Sequence, residues 1–334
     1  MIDLAGAPVT AEPDRRSARA SRWEHQLPKV YLALLLLTLV WIVVFPQLVE
    51  LYFVSLALVV LLAIVLGASW NILSGYTGYI SFGHAGFFGI GSYVGALLMI
   101  HNVAVWWVAA IVAGLSTALL ALPLGALTLR LRGPYFAITM FGFAELARIV
   151  ASSWDSVTNG GAGLYLPFLE DRTSNFYAMG ILALIAVVAT YLIASSGLGL
   201  KLISIREDEE AAQTLGISTT GFKLGAFVLS AFFPGVAGAV YARQIGYIDP
   251  LSVFGVIWSI RAVATTMFGG SGTVLGPILG GIILTLLAEW AWAQNPFAYQ
   301  VVFGGLIVLV LLFMPGGVMR VLEQRRWIPR TRRL

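Results

Sequence analysis

Lys201-Leu-Ile-Ser-Ile-Arg206-Glu207-Asp208-Glu209-Glu210-Ala211-Ala212-Gln213-Thr214-Leu215-Gly216 forms an island of charge in an otherwise apolar chain. Six of the ten residues from Lys201 to Glu210 are charged, against 11% of the whole sequence. Such a segment cannot lie in hydrocarbon, so it must connect two membrane spans. It also has an internal order. The acidic run leads into Glu210-Ala211-Ala212, strong helix formers, and Leu215-Gly216 is a natural helix stop. A short helix closed by glycine and standing outside the bilayer is suited to press into a partner protein. The four acids Glu207 to Glu210 read as individually exposed.

The residues on either side of the island set the fold class. Hydrophobic residues make up 59% of the chain, and the mean hydropathy is +0.89. Apolar segments run at about 30–46, 51–73, 79–100, 104–128, 134–152, 176–196, 221–242, 251–268, 274–293 and 298–314. At about 20 residues per crossing, these predict an all-α polytopic membrane protein of about ten transmembrane helices. No soluble segment is long enough to build its own core. Cysteine is absent, which excludes disulfides and thiolate chemistry.

Loop charge sets the orientation. Arg15, Arg16, Arg19, Arg22 and Lys29 precede the first span, and Arg130 and Arg132 follow the fourth. Lys201, Arg206 and Lys223 belong to the island and its exit; Arg320, Arg325, Arg326, Arg330, Arg332 and Arg333 follow the last span. With ten spans and a cytoplasmic N-terminus, these sixteen of the twenty basic residues all fall on the cytoplasmic side. The predicted division is a flexible basic tail over 1–29, a transmembrane region over 30–314 with its cytoplasmic loop at 197–220, and a basic cytoplasmic tail over 315–334. The first 29 residues hold prolines, acids and scattered arginines rather than the compact apolar core of a secretory signal. The net charge of +4 follows the membrane, and no nucleic-acid partner is expected.

Two glycine-rich segments interrupt the spans: Gly75-Tyr76-Thr77-Gly78-Tyr-Ile-Ser81-Phe-Gly83-His84 with Gly86, Gly89, Gly91 and Gly95, and Gly269-Gly270-Ser271-Gly272-Thr273 with Gly276, Gly280 and Gly281. Closely spaced glycines allow tight helix packing, and they also permit broken or re-entrant backbone beside a cavity. Tyr76, Thr77, Gly78, Ser81, Gly83 and His84 are therefore candidates for a translocation path. Glu145, Arg148 and Arg261 join them as charges within spans. Glu145 and Arg148 stand three residues apart on one helical face, a spacing that also suits a local ion pair.

Gly75-Tyr-Thr-Gly78, Ser81-Phe-Gly83-His84-Ala and Gly89-Ile-Gly91 resemble the signature of branched-chain amino-acid ABC importer permeases. So do Leu131-Arg-Gly133-Pro-Tyr135, Phe143-Ala-Glu145-Leu-Ala-Arg148, the island through Ile217, Gly246-Tyr-Ile-Asp-Pro250 and Gly269 to Thr273. The similarity runs in order over about residues 50–320 and looks most like the LivM-type subunit. It implies an ABC importer permease for branched-chain amino acids, working with a second permease subunit, two ATPase subunits and an extracytoplasmic solute-binding protein. The location implied is a bacterial-type cytoplasmic (inner) membrane, with surrounding lipid. ATP and Mg would sit on the ATPase subunits, with no cofactor on this chain. Arg206, Glu210, Ala211, Ala212, Leu215 and Gly216 would dock into the ATPase and pass on its closure. The resemblance also implies an acid after Ser259-Ile260, where this chain has Arg261.

Related importers for urea, amides or aromatic acids share these features. An ion-coupled transporter using Glu145 or Glu289 would have no use for the island. Gly269-Gly270-Ser271-Gly272 fits the nucleophile turn of an intramembrane serine protease, yet His25, His84 and His101 all precede it. Neither a phosphate-binding loop nor a His-Glu-x-x-His zinc site is present, and no metal ligand set is expected. The polar segment from Trp154 to Asn175 is the longest external connection. Thr158, Asn159, Glu170, Asp171 and Arg172 are its candidate contacts for a binding protein.

Overall fold

The computed structural model describes residues 37–166, 172–294, 304–305 and 316–325. Seven of the described helices are long and apolar enough to cross a membrane, as an all-α polytopic membrane protein requires. They are α2 (Leu51–Trp70, continued by a wider π turn to Gly75), α4 (Trp106–Thr128), α5 (Pro134–Ser153), α7 (Arg172–Ser195), α10 (Thr219–Ile245), α11 with α12 (Pro250–Val253, Ile257–Gly269) and α13 (Gly276–Gln294). Two shorter apolar helices join them, α1 (Leu37–Leu48) and α3 (His84–Ile100). All of the last predicted span, 298–314, except residues 304–305 lies outside the described residues, as do the tail 1–29 and half of the C-terminal tail.

The expected span at 79–100 is shorter than its hydropathy suggests. Residues 78–82 are not helical, because side chains there compete for the backbone. The Ser74 hydroxyl accepts from Ser81 N (3.2 Å), and the Ser81 hydroxyl accepts from Gly83 N (3.2 Å). The Trp70 indole N–H donates to the Ser81 carbonyl at 2.9 Å and fixes the segment to α2.

α10 is the central helix and packs most extensively against α3 and α4. The contact with α3 depends on glycine: a Cβ at Gly91 would lie 2.2 Å from the Gly235 carbonyl oxygen, backbone against backbone. This is the close approach that small residues give helices in a membrane. We expect Gly91→Leu to separate the pair and cost upward of about 1–3 kcal/mol by overpacking. The measurement is the thermal midpoint of the detergent-solubilised chain, and an unchanged midpoint would contradict the contact.

The connections gather at two ends. One holds the loop 129–133, residues 75–83, residues 269–273, α8 (Gly197–Glu207), α9 (Glu209–Thr214) and α14 (Gly317–Gln324). The other holds α6 (Asp155–Thr158) and a two-stranded antiparallel pair, β1 (Leu164–Tyr165) with β2 (Tyr247–Ile248), in the register Leu164↔Ile248. The segment after Trp154, expected to be an external contact loop, is partly folded, with β1 paired to the strand that follows α10.

Candidate coupling site

The charged island folds as two helices meeting at Asp208. Its carboxylate caps α9 by accepting from Glu210 N (2.9 Å) and Ala211 N (3.0 Å). Gly216 ends the turn with φ +80, a left-handed conformation natural to glycine, and its N–H donates to the Gln213 carbonyl at 2.9 Å.

Along α9 the side chains divide into two faces. Leu215 is 79% exposed, and Ala211 and Glu210 also face outward. Ala212 is 2% exposed and packs into the chain. The expectation that Ala212 belongs to a docking face is corrected: the outward crest is Glu210, Ala211 and Leu215. Glu210 pairs with Arg132 at 2.8 Å, an exposed ion pair of small energetic weight.

Glu209 departs from the expectation of four exposed acids. Its Oε1 accepts from Lys223 Nζ at 2.5 Å, and its Oε2 accepts from the Tyr79 hydroxyl at 2.6 Å. Lys223 is 3% exposed, and it also donates to the Tyr79 oxygen (2.8 Å) and the Leu129 carbonyl (3.3 Å). All three ammonium donors are therefore used. Burial alone would raise the Glu209 pKa, but hydrogen bonds from Lys223 and Tyr79 and the Lys223 charge outweigh it and hold it below the ordinary value. Burial, with the Glu209 carboxylate beside it, keeps the Tyr79 phenol protonated.

A second tie runs through Arg206, whose Nη1 donates to the Gly75 carbonyl at 2.8 Å. Gly75 closes the π turn of α2. In the same turn Asn71 donates to the Thr273 carbonyl and accepts from Gly272 N, both at 2.8 Å. Both glycine-rich segments, α9 and the start of α10 are thereby fastened together. Sequence spacing gave no sign of the Lys223–Glu209–Tyr79 triad. Its only local signal was a lone lysine inside an apolar run.

The remaining candidates separate. Tyr76, Thr77, Ser81, Gly83 and His84 are buried within the chain, and Gly78 lies against Arg206. Among the described residues no hydrogen bond joins His84 to Ser271, so no dyad forms between them. Glu145 and Arg148 pair on α5, with Arg148 Nε donating to Glu145 Oε2 at 2.9 Å. Thr158 is buried, its hydroxyl directed at the Ala151 and Trp154 carbonyls (2.6 and 2.7 Å). This corrects its assignment to an exposed partner surface. Asn159 is exposed and donates to the Gly163 carbonyl at 2.9 Å. Glu170 and Asp171 lie outside the described residues, and Arg172 begins α7. Arg261 lies on α12, its guanidinium 5.4 Å from the centre of the Trp258 ring.

Residues 52–312 match the family described as the permease component of branched-chain amino acid transport systems. The high-affinity branched-chain amino acid permease protein LivM of Salmonella typhimurium is 31% identical over 86% of this chain and 74% of its own length. LivM of Escherichia coli is 32% identical over 86% and 73%. LivH of Escherichia coli is 27% identical over 77% of this chain and 92% of its own. No solved structure matches.

Proposed function

Because this chain belongs to the family of branched-chain amino acid transport permeases, we propose that it is one permease subunit of an ABC importer for leucine, isoleucine or valine. It pairs with a second, LivH-like permease, receives its solute from an extracytoplasmic binding protein, and is driven by two ATPase subunits that bind ATP and Mg. In this reading the chain crosses a bacterial-type inner membrane ten times, with both termini and α9 on its cytoplasmic face. The chain itself is a transport subunit rather than an enzyme.

The observation that supports this reading is the arrangement of α9. Its outward face carries an apolar knob, Leu215, and its inward face is tied through Glu209 to Lys223 and Tyr79. A partner that moves the knob therefore pulls on α10 and on the glycine-rich segment after α2. Alternating access follows: ATP-driven closure of the ATPases shifts α9, and α9 shifts the helices that bound the solute path.

The test is uptake of labelled leucine, isoleucine and valine into proteoliposomes holding the full complex. Uptake should require ATP and the binding protein and vanish when the ATPases are omitted. ATP-independent uptake by this chain alone would overturn the reading. Orientation is tested separately in this cysteine-free chain. In intact cells an impermeant thiol reagent should label Thr173→Cys and spare Thr214→Cys, and the reverse pattern would invert the topology.

A further inference from the structure

A cleft of about 450 Å³ opens between α2, α12 and α13, in the half of the bundle remote from α9. Arg261 lies one turn into α12 from the end opposite Gly269, and Glu289 lies thirteen residues along α13 from Gly276. Both line the cleft. Thr265 follows Arg261 by one helical turn, Thr285 precedes Glu289 by one, and both hydroxyl residues also line it. The Tyr52 hydroxyl, at the start of α2, donates to Glu289 Oε1 at 2.8 Å and steadies that carboxylate. The remaining walls are apolar and include Leu62, Leu66 and Leu284.

Side chains of opposite charge and two hydroxyls thus line one cleft between membrane helices, a placement that in such helices commonly marks a solute or ion path. A cleft of this volume, mostly apolar with a few converging polar groups, has the character of a small-molecule site. We infer that it is a binding site for a free α-amino acid in transit. The α-carboxylate pairs with the Arg261 guanidinium, whose planar fork suits it. The ammonium pairs with Glu289, and a branched apolar side chain lies against Leu62, Leu66 and Leu284. The inference rests on the importer reading above, and it places one solute station within this subunit. Sequence alone presented Arg261 as a departure from the family; the cleft makes it the carboxylate partner. A zwitterionic phospholipid headgroup presents the same two charges, so the test separates it from the free amino acid.

The full complex, without binding protein, is placed in nanodiscs of phosphatidylglycerol alone or with phosphatidylethanolamine. It is irradiated with a diazirine analogue of leucine, and labelled peptides are mapped by mass spectrometry. Label should appear on α12 or α13 in both lipids and be displaced by leucine. Leucinamide and 4-methylpentanoate, each lacking one charge, should compete about tenfold less well, as expected for loss of one charge-assisted contact. Arg261→Gln and the isosteric Glu289→Gln should each lower labelling by a similar factor in complexes that still assemble on size exclusion, with Arg261→Lys partly restoring it. Labelling absent from these helices, indifferent to both variants, or abolished by phosphatidylethanolamine would overturn the site. Leucine uptake by the same wild-type complex with its binding protein is measured in parallel. Uptake without cleft labelling refutes the site alone, and absence of both refutes the importer reading with it.

Discussion

Glu209→Ala is expected to be the most damaging single change at the α9 end of the bundle. It leaves the Lys223 ammonium, 3% exposed, without its counter-charge. Removing one member of a buried ion pair typically costs about 3–5 kcal/mol, because the remaining charge stays desolvated. The thermal midpoint of the assembled complex should fall, and uptake should fall with it as α9 comes loose from α10 and Tyr79. Glu209→Leu combined with Lys223→Met removes both charges and should recover most of the stability, while uptake stays low because the tie is still missing. A double-mutant cycle measures the coupling. Near-additive single effects would show that the pair does not hold α9.

The same pair gives the site a pH dependence of definite sign. The folded-state pKa of Glu209 lies below its ordinary 4.5, so the carboxylate contributes its stabilisation in full above that value. The contribution is lost as pH falls through the lower folded value. Acid should therefore loosen α9 in the wild type. The acid-side slope should be smaller in the Glu209→Leu/Lys223→Met variant when both are followed by a fluorophore at Thr214→Cys.

Gly216→Val is expected to act on coupling more than on stability. At φ +80 a β-branched residue is strained by about 1–2 kcal/mol. Among the described residues no atom lies within contact range of a Cβ there, so the cost is conformational rather than steric. Relief of that strain would turn Leu215 away from its present direction. Membrane insertion and pairing with the second permease should persist, while ATPase stimulation and uptake should be lost. Wild-type transport in a Gly216→Val complex would remove the coupling role from this loop. Leu215→Ser, which leaves the backbone conformation alone, should weaken ATPase docking in the same direction.

What could be read in advance follows from the range of each interaction. Span positions emerge from local hydropathy, and α2, α4, α5 and α10 begin and end within a few residues of their apolar runs. The island stands out by charge, and Gly216 by its place after a helix-forming run. Ala212 and Glu209 were misjudged because helix propensity does not say which side of α9 meets the bundle. That side is chosen by Lys223, fourteen residues along the chain, and by Tyr79, 130 residues away. Thr158 looked like surface because it sits in a polar loop, whereas its hydroxyl closes the turn between α5 and α6. The Arg261–Glu289 cleft was equally hidden, since its three walls come from residues 59–66, 258–265 and 284–292.

The backbone contact between Gly91 and Gly235 also has a mechanical meaning. Pro234, beside it, has no N–H to donate to the carbonyl one turn earlier, so α10 bends most easily where α3 already pins it. Lys223 lies twelve residues before that fulcrum, an arm of about 18 Å at the helical rise. A swing of about 10° would carry the Lys223 end by about 3 Å, while the half of α10 that leads into β2 stays seated on α3 and α4. Power stroke and solute entry would thus be drawn from opposite arms of a single helix, one carried by α9 through Lys223 and the other held as its mount.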